Sequence, residues 1–156
     1  MFLSKSCLYG IRAAIYMASV EGNQFMSIRH ISDTLDISFH FLTKILQTLT
    51  QDGIMSSYRG PNGGIMLARS PDAILLIDLV RSIDGDQIFT ECFLGLPNCG
   101  NAVPCPVHDH WATIRTDIAQ LLSTIKLSDL AARVNTFGHR LSENDILSSI
   151  KKPESR

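Results

Sequence analysis

The chain has 156 residues, a formal net charge of −1 and a hydrophobic content of 45%. This apolar content excludes a disordered protein, and the length fits one folded domain. No apolar run reaches the ~18 residues that span a bilayer, so we expect a cytoplasmic protein without a membrane partner. Residues 1–70 carry six Lys and Arg against four acids, whereas the remainder carries eight against eleven. This asymmetry weakly favours a different partner for each half.

Three helices are predicted in the first third of the chain. Ser4 is placed to cap the first, which runs to about Val20, and Ser27 is placed to cap a short second helix. Ser38 is placed to cap the third, which ends at Gly53. The second and third helices are separated by only about two residues. Two short helices joined by such a tight turn are typical of a helix-turn-helix.

The third predicted helix has two faces of different chemistry. One stripe is apolar and should face the core: Leu42, Ile45, Leu46 and Leu49. A second stripe at the same spacing carries hydrogen-bonding groups and one positive charge: His40, Thr43, Lys44 and Gln47. Base edges are read by donors and acceptors, and phosphates by cations. We therefore interpret this face, with Ser38 at its start, as that of a DNA recognition helix; the alternative is an ordinary solvated face.

A hairpin is predicted directly after this helix. Two strand-like runs, residues 54–58 and 65–68, flank the turn sequence RGPNGG. A hairpin in this position is a wing, and Arg59 at its tip is placed to enter a narrow minor groove. The remaining candidate DNA-binding residues of the wing are Tyr58, Asn62 and Gly63. The alternative is a plain turn with a solvent-facing arginine.

A fourth helix is predicted from Pro71, with Ser70 as its cap and Gly85 at its end. Its apolar spacing indicates a core element without chemistry of its own. A long helix follows from about Pro106 to Ile125. Its apolar residues repeat at spacings of four and three and form a seam typical of a coiled coil: Val107, Trp111, Ile114, Ile118, Leu121 and Ile125. The seam predicts a homodimer; the alternative is a helix folded back on its own domain.

A loop rich in Pro, Gly and Asn lies between these two helices and holds Cys92, Cys99 and Cys105. Clustered cysteines in a cytosolic protein more often bind metal or carry out redox chemistry than form structural disulfides. Thiolates suit iron–sulfur clusters and zinc. Zinc ligands usually occur in pairs such as C-x2-C, and the only pair that close here is Cys105 and His108. The residues favour an iron–sulfur cluster but leave zinc and a cluster-free thiol site open.

These elements predict a mainly α fold: a winged helix-turn-helix with a small β-hairpin and a long C-terminal dimerisation helix. We divide the chain into a DNA-binding domain (1–84), a cysteine-rich cluster-binding loop (85–105), a dimerisation helix with a short following helix (106–137), and a tail expected to be flexible (138–156). No catalytic constellation is found, so an enzyme is not expected.

The chain resembles the Rrf-two family of bacterial winged-helix transcriptional regulators, which includes iron–sulfur cluster regulators and nitric oxide sensors. The resemblance covers about residues 1–135 and rests on four stretches: LSKSCLYGIRAAIYMA, ISFHFLTKILQTLTQDGIMSS, the wing YRGPNGG, and three cysteines before a long helix. It implies a homodimer with antiparallel long helices and two winged helix-turn-helix units. Because the seam of the long helix pairs two recognition helices, we expect this dimer to bind pseudo-palindromic double-stranded DNA. The resemblance also implies one cluster per subunit held by Cys92, Cys99 and Cys105, with 2Fe–2S favoured over 4Fe–4S.

Two residues are the main candidates for the fourth cluster position, and another residue or an external ligand is the remaining alternative. His108 follows Cys105 by three residues in CPVH, a Cys–His spacing that the resemblance also supports. Other family members use a carboxylate from near the partner's N-terminus; the matching position here is Leu8, and the neighbouring Cys7 is the rival.

The sequence therefore predicts a DNA-binding regulator that senses iron–sulfur status, redox state or nitric oxide. The alternative is a cluster-free winged-helix regulator that responds to thiol oxidation or a protein partner. A third hypothesis, a small electron-transfer or metal-trafficking protein, does not explain the recognition helix and the wing.

Overall fold

The structure is a computed structural model that describes residues 2–144. In that range it contains seven α-helices and one two-stranded antiparallel sheet. The helices are α1 (Lys5–Ser19), α2 (Ile28–Leu35), α3 (Phe39–Gln51), α4 (Leu76–Asp84), α5 (Gln87–Thr90), α6 (His108–Thr124) and α7 (Leu127–Phe137), and the strands are β1 (Met55–Tyr58) and β2 (Gly64–Leu67). The predicted fold class is confirmed. Within residues 2–144, every helix is too short or too polar to span a bilayer.

Helices α1 to α3 begin where the sequence places their caps. The Ser4 hydroxyl accepts a hydrogen bond from the backbone of Cys7, and the Ser27 hydroxyl accepts one from the backbone of His30. Asp36 adopts the left-handed conformation, with φ of 53°, and turns the chain from α2 into α3. Ser38 occupies the N-cap position of α3 without a side-chain cap bond. The predicted helix-turn-helix is therefore present.

The apolar stripe of α3 lies in the core, as predicted. Leu42, Leu46 and Leu49 are fully buried and pack with Ile31 and Leu35 of α2. Burial of each such side chain stabilises the fold by about 1.5–3 kcal/mol relative to exposure. Because this stripe faces inward, the opposite, polar stripe of α3 must face solvent.

The wing is attached to the loop between α1 and α2. Met55 pairs with Leu67 and Tyr58 with Gly64 in the hairpin. Met26 and Ile65 exchange two backbone hydrogen bonds of 2.8 Å each. Gly64 has a φ of +153°, and a Cβ at this position would lie 2.1 Å from the Met26 carbonyl oxygen. Glycine is therefore required where the wing meets this loop.

The predicted start of the fourth helix at Pro71 is wrong. The segment Pro71–Ala73 forms a single 3-10 turn, and α4 begins at Leu76. Ile74 between them is extended, and its carbonyl oxygen accepts a 2.8 Å hydrogen bond from the backbone of Leu127. This long-range pairing ties the start of α4 to the connection between α6 and α7, and it overrides the local capping signal.

Helix α6 packs on its own domain and also presents an apolar strip to solvent. Leu122 is buried with Cys7 and Val80, and Ile118 packs against that cluster. The outer strip consists of Ile114, which is 48% exposed, and Leu121, which is 58% exposed. The predicted seam is therefore divided: Ile118 faces the core of its own domain, whereas Ile114 and Leu121 face solvent.

The short helix predicted after α6 corresponds to α7, which packs against α1. Within the predicted tail, the Leu141 carbonyl accepts a hydrogen bond from the Arg12 guanidinium, and Ser142 is buried. Residues 145–156 of that tail lie outside the described residues.

We expect Gly64→Ala to destabilise the fold by about 2–6 kcal/mol, because it combines backbone strain of ~1–3 kcal/mol with overpacking of ~1–3 kcal/mol. Gly53→Ala is the control: Gly53 also has a positive φ, of 71°, but beyond its chain neighbours no atom lies within 4 Å of the place that a Cβ would occupy. It should cost only about 1–2 kcal/mol. Urea unfolding measures both values, and equal losses would contradict the role given to the Met26 contact.

Candidate functional site

The polar stripe of α3 lies on an open surface. His40, Lys44 and Gln47 are exposed. Thr43 is half-buried, and its hydroxyl donates a 2.7 Å hydrogen bond to the Phe39 carbonyl oxygen. Its oxygen can still accept a bond from outside the helix. The structure therefore presents the predicted recognition residues together on one helix face.

The tip of the wing lies beyond the two strands. Tyr58, Arg59 and Asn62 are exposed. Gly63 has a structural role instead. Its N–H donates a 3.0 Å hydrogen bond to the Gly60 carbonyl oxygen, and a Cβ at this position would lie 2.2 Å from the Tyr58 carbonyl oxygen. Gly63 thus shapes the turn that presents Arg59.

A further cation lies beside the predicted recognition helix, and the sequence patterns did not indicate it. The Arg29 guanidinium of α2 lies 4.0 Å from the centroid of the Phe39 ring, at the first residue of α3. Arg29 is exposed, and this cation–π contact holds its charge near the helix start. The contact joins two helices, so no periodic pattern within one element could have indicated it.

The three predicted thiols and the imidazole lie together. The sulfur atoms of Cys92, Cys99 and Cys105 are all within 4.8 Å of one another. The Cys92 and Cys105 sulfurs are 3.6 Å apart. His108 Nδ1 lies 3.3 Å from the Cys99 sulfur, and His108 Nε2 lies 3.2 Å from Asn101 Oδ1. Among residues 2–144, the three cysteines form a group whose ligand atoms lie close enough together to hold a metal ion.

Both ends of the cysteine loop are attached to α6. At the start of the loop, Trp111 Nε1 donates a 2.9 Å hydrogen bond to the Glu91 carbonyl oxygen. Arg115 Nη1 donates to the carbonyl oxygens of Glu91, at 2.9 Å, and Thr90, at 2.7 Å. At the end of the loop, Cys105 leads into the first turn of α6. Sequence patterns could not indicate the roles of Trp111 and Arg115, since these contacts cross twenty or more residues.

The thiols differ in acidity. A backbone hydrogen bond from Leu96 is the main cause that lowers the pKa of Cys92 to about 7, and bonds with Leu94, Cys105 and Cys99 add to it. Cys99 receives a backbone hydrogen bond from Cys105 that lowers its pKa, but burial and the neighbouring thiols outweigh it and raise the pKa. The thiolate is the form that binds metal. Cys92 is thus prepared as a ligand near neutral pH.

Cys7 lies apart from this group. It is 0% exposed and packs with Val80 and Leu122. Burial, followed by the charge of Asp84, raises the pKa of the Cys7 thiol to about 12. It is therefore a protonated core residue in its own protomer.

The donor set fits a metal group. Three soft thiolates suit an iron–sulfur cluster or zinc, and a neutral imidazole suits either as a fourth ligand. Cys92 and Cys99 are half-buried and Cys105 is buried, so the group lies close to the surface of a loop.

Comparison with known proteins agrees with this architecture. Residues 3–133 match the Rrf-two family, which is described as an iron-dependent transcriptional regulator. The transcriptional regulator NsrR of Bacillus licheniformis is 33% identical over 90 residues, which cover 58% of this chain and 63% of that protein. The structure of CymR, the global cysteine regulator of B. subtilis, is similar with a TM-score of 0.71 and 29% identity, over 83% of this chain and 95% of that one.

The structure of T. potens IscR shares the fold, with a TM-score of 0.64 and 21% identity, over 99% of this chain and 91% of that one. The winged helix, the exposed polar stripe of α3 and the match over residues 3–133 lead to one conclusion. The chain belongs to the Rrf-two family of winged-helix transcriptional regulators.

Proposed function

We propose that this regulator is a homodimer that binds pseudo-palindromic DNA and senses iron–sulfur status, redox state or nitric oxide through a cluster held by Cys92, Cys99, Cys105 and His108. The observation that carries the proposal is the convergence of three sulfurs within 4.8 Å, with an imidazole nitrogen 3.3 Å from one of them. When bound, an iron–sulfur cluster would supply a centre that reacts with oxidants and nitric oxide. A 2Fe–2S cluster is favoured.

The loop is built so that ligand binding acts on α6. Cys105 shortly precedes this helix, and His108 is its first residue. Glu91, next to Cys92, is hydrogen-bonded to Trp111 and Arg115 one and two turns further along. Drawing the three thiolates and the imidazole around one group would therefore fix the start of α6 relative to α5.

The DNA-binding arrangement follows from the two exposed surfaces. The polar face of α3 carries Lys44 for phosphates, with His40 and Gln47 for base edges. The wing presents Arg59, whose guanidinium suits the negative potential of a narrow minor groove. Two copies related by a two-fold axis would place two recognition helices on a symmetric site.

The exposed strip of α6 supports the homodimer. Ile114 and Leu121 are two turns apart on the same side of the helix and remain about half exposed in one protomer. A second copy of α6 would cover them, while Leu122 and Ile118 already pack inside the protomer.

His108 is a better candidate than Cys7 for the fourth ligand of the cluster. Its Nδ1 already contacts a thiol of the group. Cys7 would have to leave a fully buried position and lose a proton held with a pKa of about 12. Both requirements oppose its reaching a cluster in a partner subunit.

A second candidate function is direct thiol sensing without a cluster. The Cys92 and Cys105 sulfurs are 3.6 Å apart, and the pKa of Cys92 is lowered to about 7. A disulfide needs a sulfur–sulfur distance of about 2.05 Å, so a small loop movement would allow it. Hydrogen peroxide would oxidise the two thiols to a disulfide with release of two water molecules. Mass spectrometry of the peroxide-treated, metal-free protein tests this: a Cys92–Cys105 disulfide with altered DNA binding supports it.

The DNA-binding surface is tested by Arg59→Ala, which should weaken binding to a preferred duplex by about 1–3 kcal/mol. Arg69→Ala is the control, because it removes the same charge at a different place. Arg69 follows the end of β2 and lies at the end of the hairpin opposite the tip. The wild-type protein is first used to select a preferred duplex from a random pool. Each protein is then titrated into that duplex, and binding is followed by fluorescence anisotropy. Wild-type affinity in Arg59→Ala would contradict the wing assignment.

The dimer is tested by Leu121→Asp, which places a charge on the exposed strip. Burying an unpaired charge costs several kcal/mol, so we expect monomers in sedimentation velocity and weaker DNA binding. Thr116→Asp adds the same charge at an exposed position on the opposite side of α6 and should leave the dimer intact. A Leu121→Asp protein that stays dimeric would place the interface elsewhere.

The fourth ligand is tested with two variants purified anaerobically. His108→Ala should change the visible and Mössbauer spectra of the cluster, because it removes a nitrogen ligand. Cys7→Ala should leave both spectra unchanged, since Cys7 is a core residue. The reverse pattern would assign the position to Cys7.

A further inference from the structure

The imidazole of His108 is held from both sides. Its Nδ1 lies 3.3 Å from the Cys99 sulfur, and its Nε2 lies 3.2 Å from the side-chain oxygen of Asn101. An amide oxygen only accepts hydrogen bonds, so the nitrogen that faces it must carry a proton. A neutral imidazole has one protonated nitrogen, and its lone pair then lies on the other. In this arrangement the lone pair is on Nδ1, the atom that faces the thiols.

We propose that Asn101 is a positioning residue that selects the Nε2-protonated tautomer of His108, so that His108 binds the metal group through Nδ1. This inference rests on the proposed cluster function and adds to it the ligating atom and a residue that prepares it. Asn101 acts through the imidazole and is not itself a ligand.

Backbone hydrogen bonds anchor both partners. Gly100 and Val103 pair across a tight turn, with a 3.1 Å hydrogen bond from the Val103 N–H to the Gly100 carbonyl oxygen. Asn101 lies within that turn. The N–H of His108 donates a 3.0 Å hydrogen bond to the Cys105 carbonyl oxygen, which fixes the start of α6 beside the thiol. The side chains thus meet from two anchored positions.

Such a partner changes the ligand properties of the imidazole. A hydrogen bond from the remote ring N–H fixes the ring orientation and increases the basicity of the ligating nitrogen. Loss of such a partner typically weakens metal binding about 10–100-fold. We expect that range for Asn101→Ala.

In the competing arrangement the side-chain amide of Asn101 is flipped, so that its oxygen and nitrogen exchange places. The Asn101 NH2 group would then donate to Nε2, the proton would lie on Nδ1, and Nδ1–H would point at Cys99. The two arrangements differ in the position of one proton, so a tautomer measurement separates them.

The first test is nitrogen NMR on the metal-free, reduced full-length protein. The pH is set high enough for imidazole rings to be neutral. Long-range proton–nitrogen correlation spectra should show His108 with Nε2 protonated and Nδ1 unprotonated, and His108→Ala assigns the signals. Asn101→Ala should give a mixture of tautomers, whereas Asn101→Asp keeps an acceptor and should retain the wild-type tautomer. Asn98→Gly is the control in the same loop, where glycine suits the φ of 58°. An Nδ1-protonated wild type, or an unchanged tautomer in Asn101→Ala, would overturn the proposal.

The second test uses metal. Zinc titration of the metal-free protein, in competition with a chromophoric chelator, should show about 10–100-fold weaker binding for Asn101→Ala and near-wild-type binding for Asn101→Asp. Equal affinity in wild type and Asn101→Ala would overturn the positioning role. Neither test needs an iron–sulfur cluster. A protein that purifies without a cluster but shows the expected tautomer would therefore contradict the proposed function and leave the role of Asn101 standing.

Discussion

The attachment of the cysteine loop to α6 at both ends is the constraint on which the site depends. Hydrogen bonds from Trp111 and Arg115 hold the backbone just before Cys92, and the chain after Cys105 enters the same helix. A Pro- and Gly-rich loop has little core of its own, so these anchors substitute for hydrophobic packing. They bring three sulfurs within 4.8 Å although the cysteines are spread over fourteen positions of sequence. The arrangement suits a metal group whose binding would stabilise the folded loop, which has little hydrophobic packing of its own.

The same helix connects the loop to the proposed DNA-binding surface. Leu122 of α6 packs with Val80 of α4 and Cys7 of α1, and α1 packs in turn against α3. The outer strip of α6, with Ile114 and Leu121, is available to a second copy. In the proposed dimer, a change at the start of α6 would therefore act on the spacing of the two α3 helices. Helix α6 is thus the element shared by the proposed sensor, the proposed dimer and the winged helix-turn-helix.

Local patterns were sufficient to predict the helix-turn-helix and the wing. Ser4 and Ser27 cap helices with side-chain hydrogen bonds, and the Pro-Asn-Gly-Gly turn joins two paired strands. The three cysteines were expected together because they share one short loop and because of the family resemblance. Features that depend on distant pairing escaped prediction. The start of α4 is set by a bond between Ile74 and Leu127, which lie over fifty residues apart. The contacts of Arg29 with Phe39 and of Asn101 with His108 likewise join different elements.

The central claim is that the three thiolates and His108 hold an iron–sulfur cluster in each subunit of a dimer. Native mass spectrometry of the protein, purified without oxygen from iron-replete cells, tests this claim most directly. We predict a dimer whose mass includes one cluster per subunit, and a bare dimer for a variant with Cys92, Cys99 and Cys105 replaced by Ala. A wild-type protein that carries only zinc, or no metal at all, would contradict the claim.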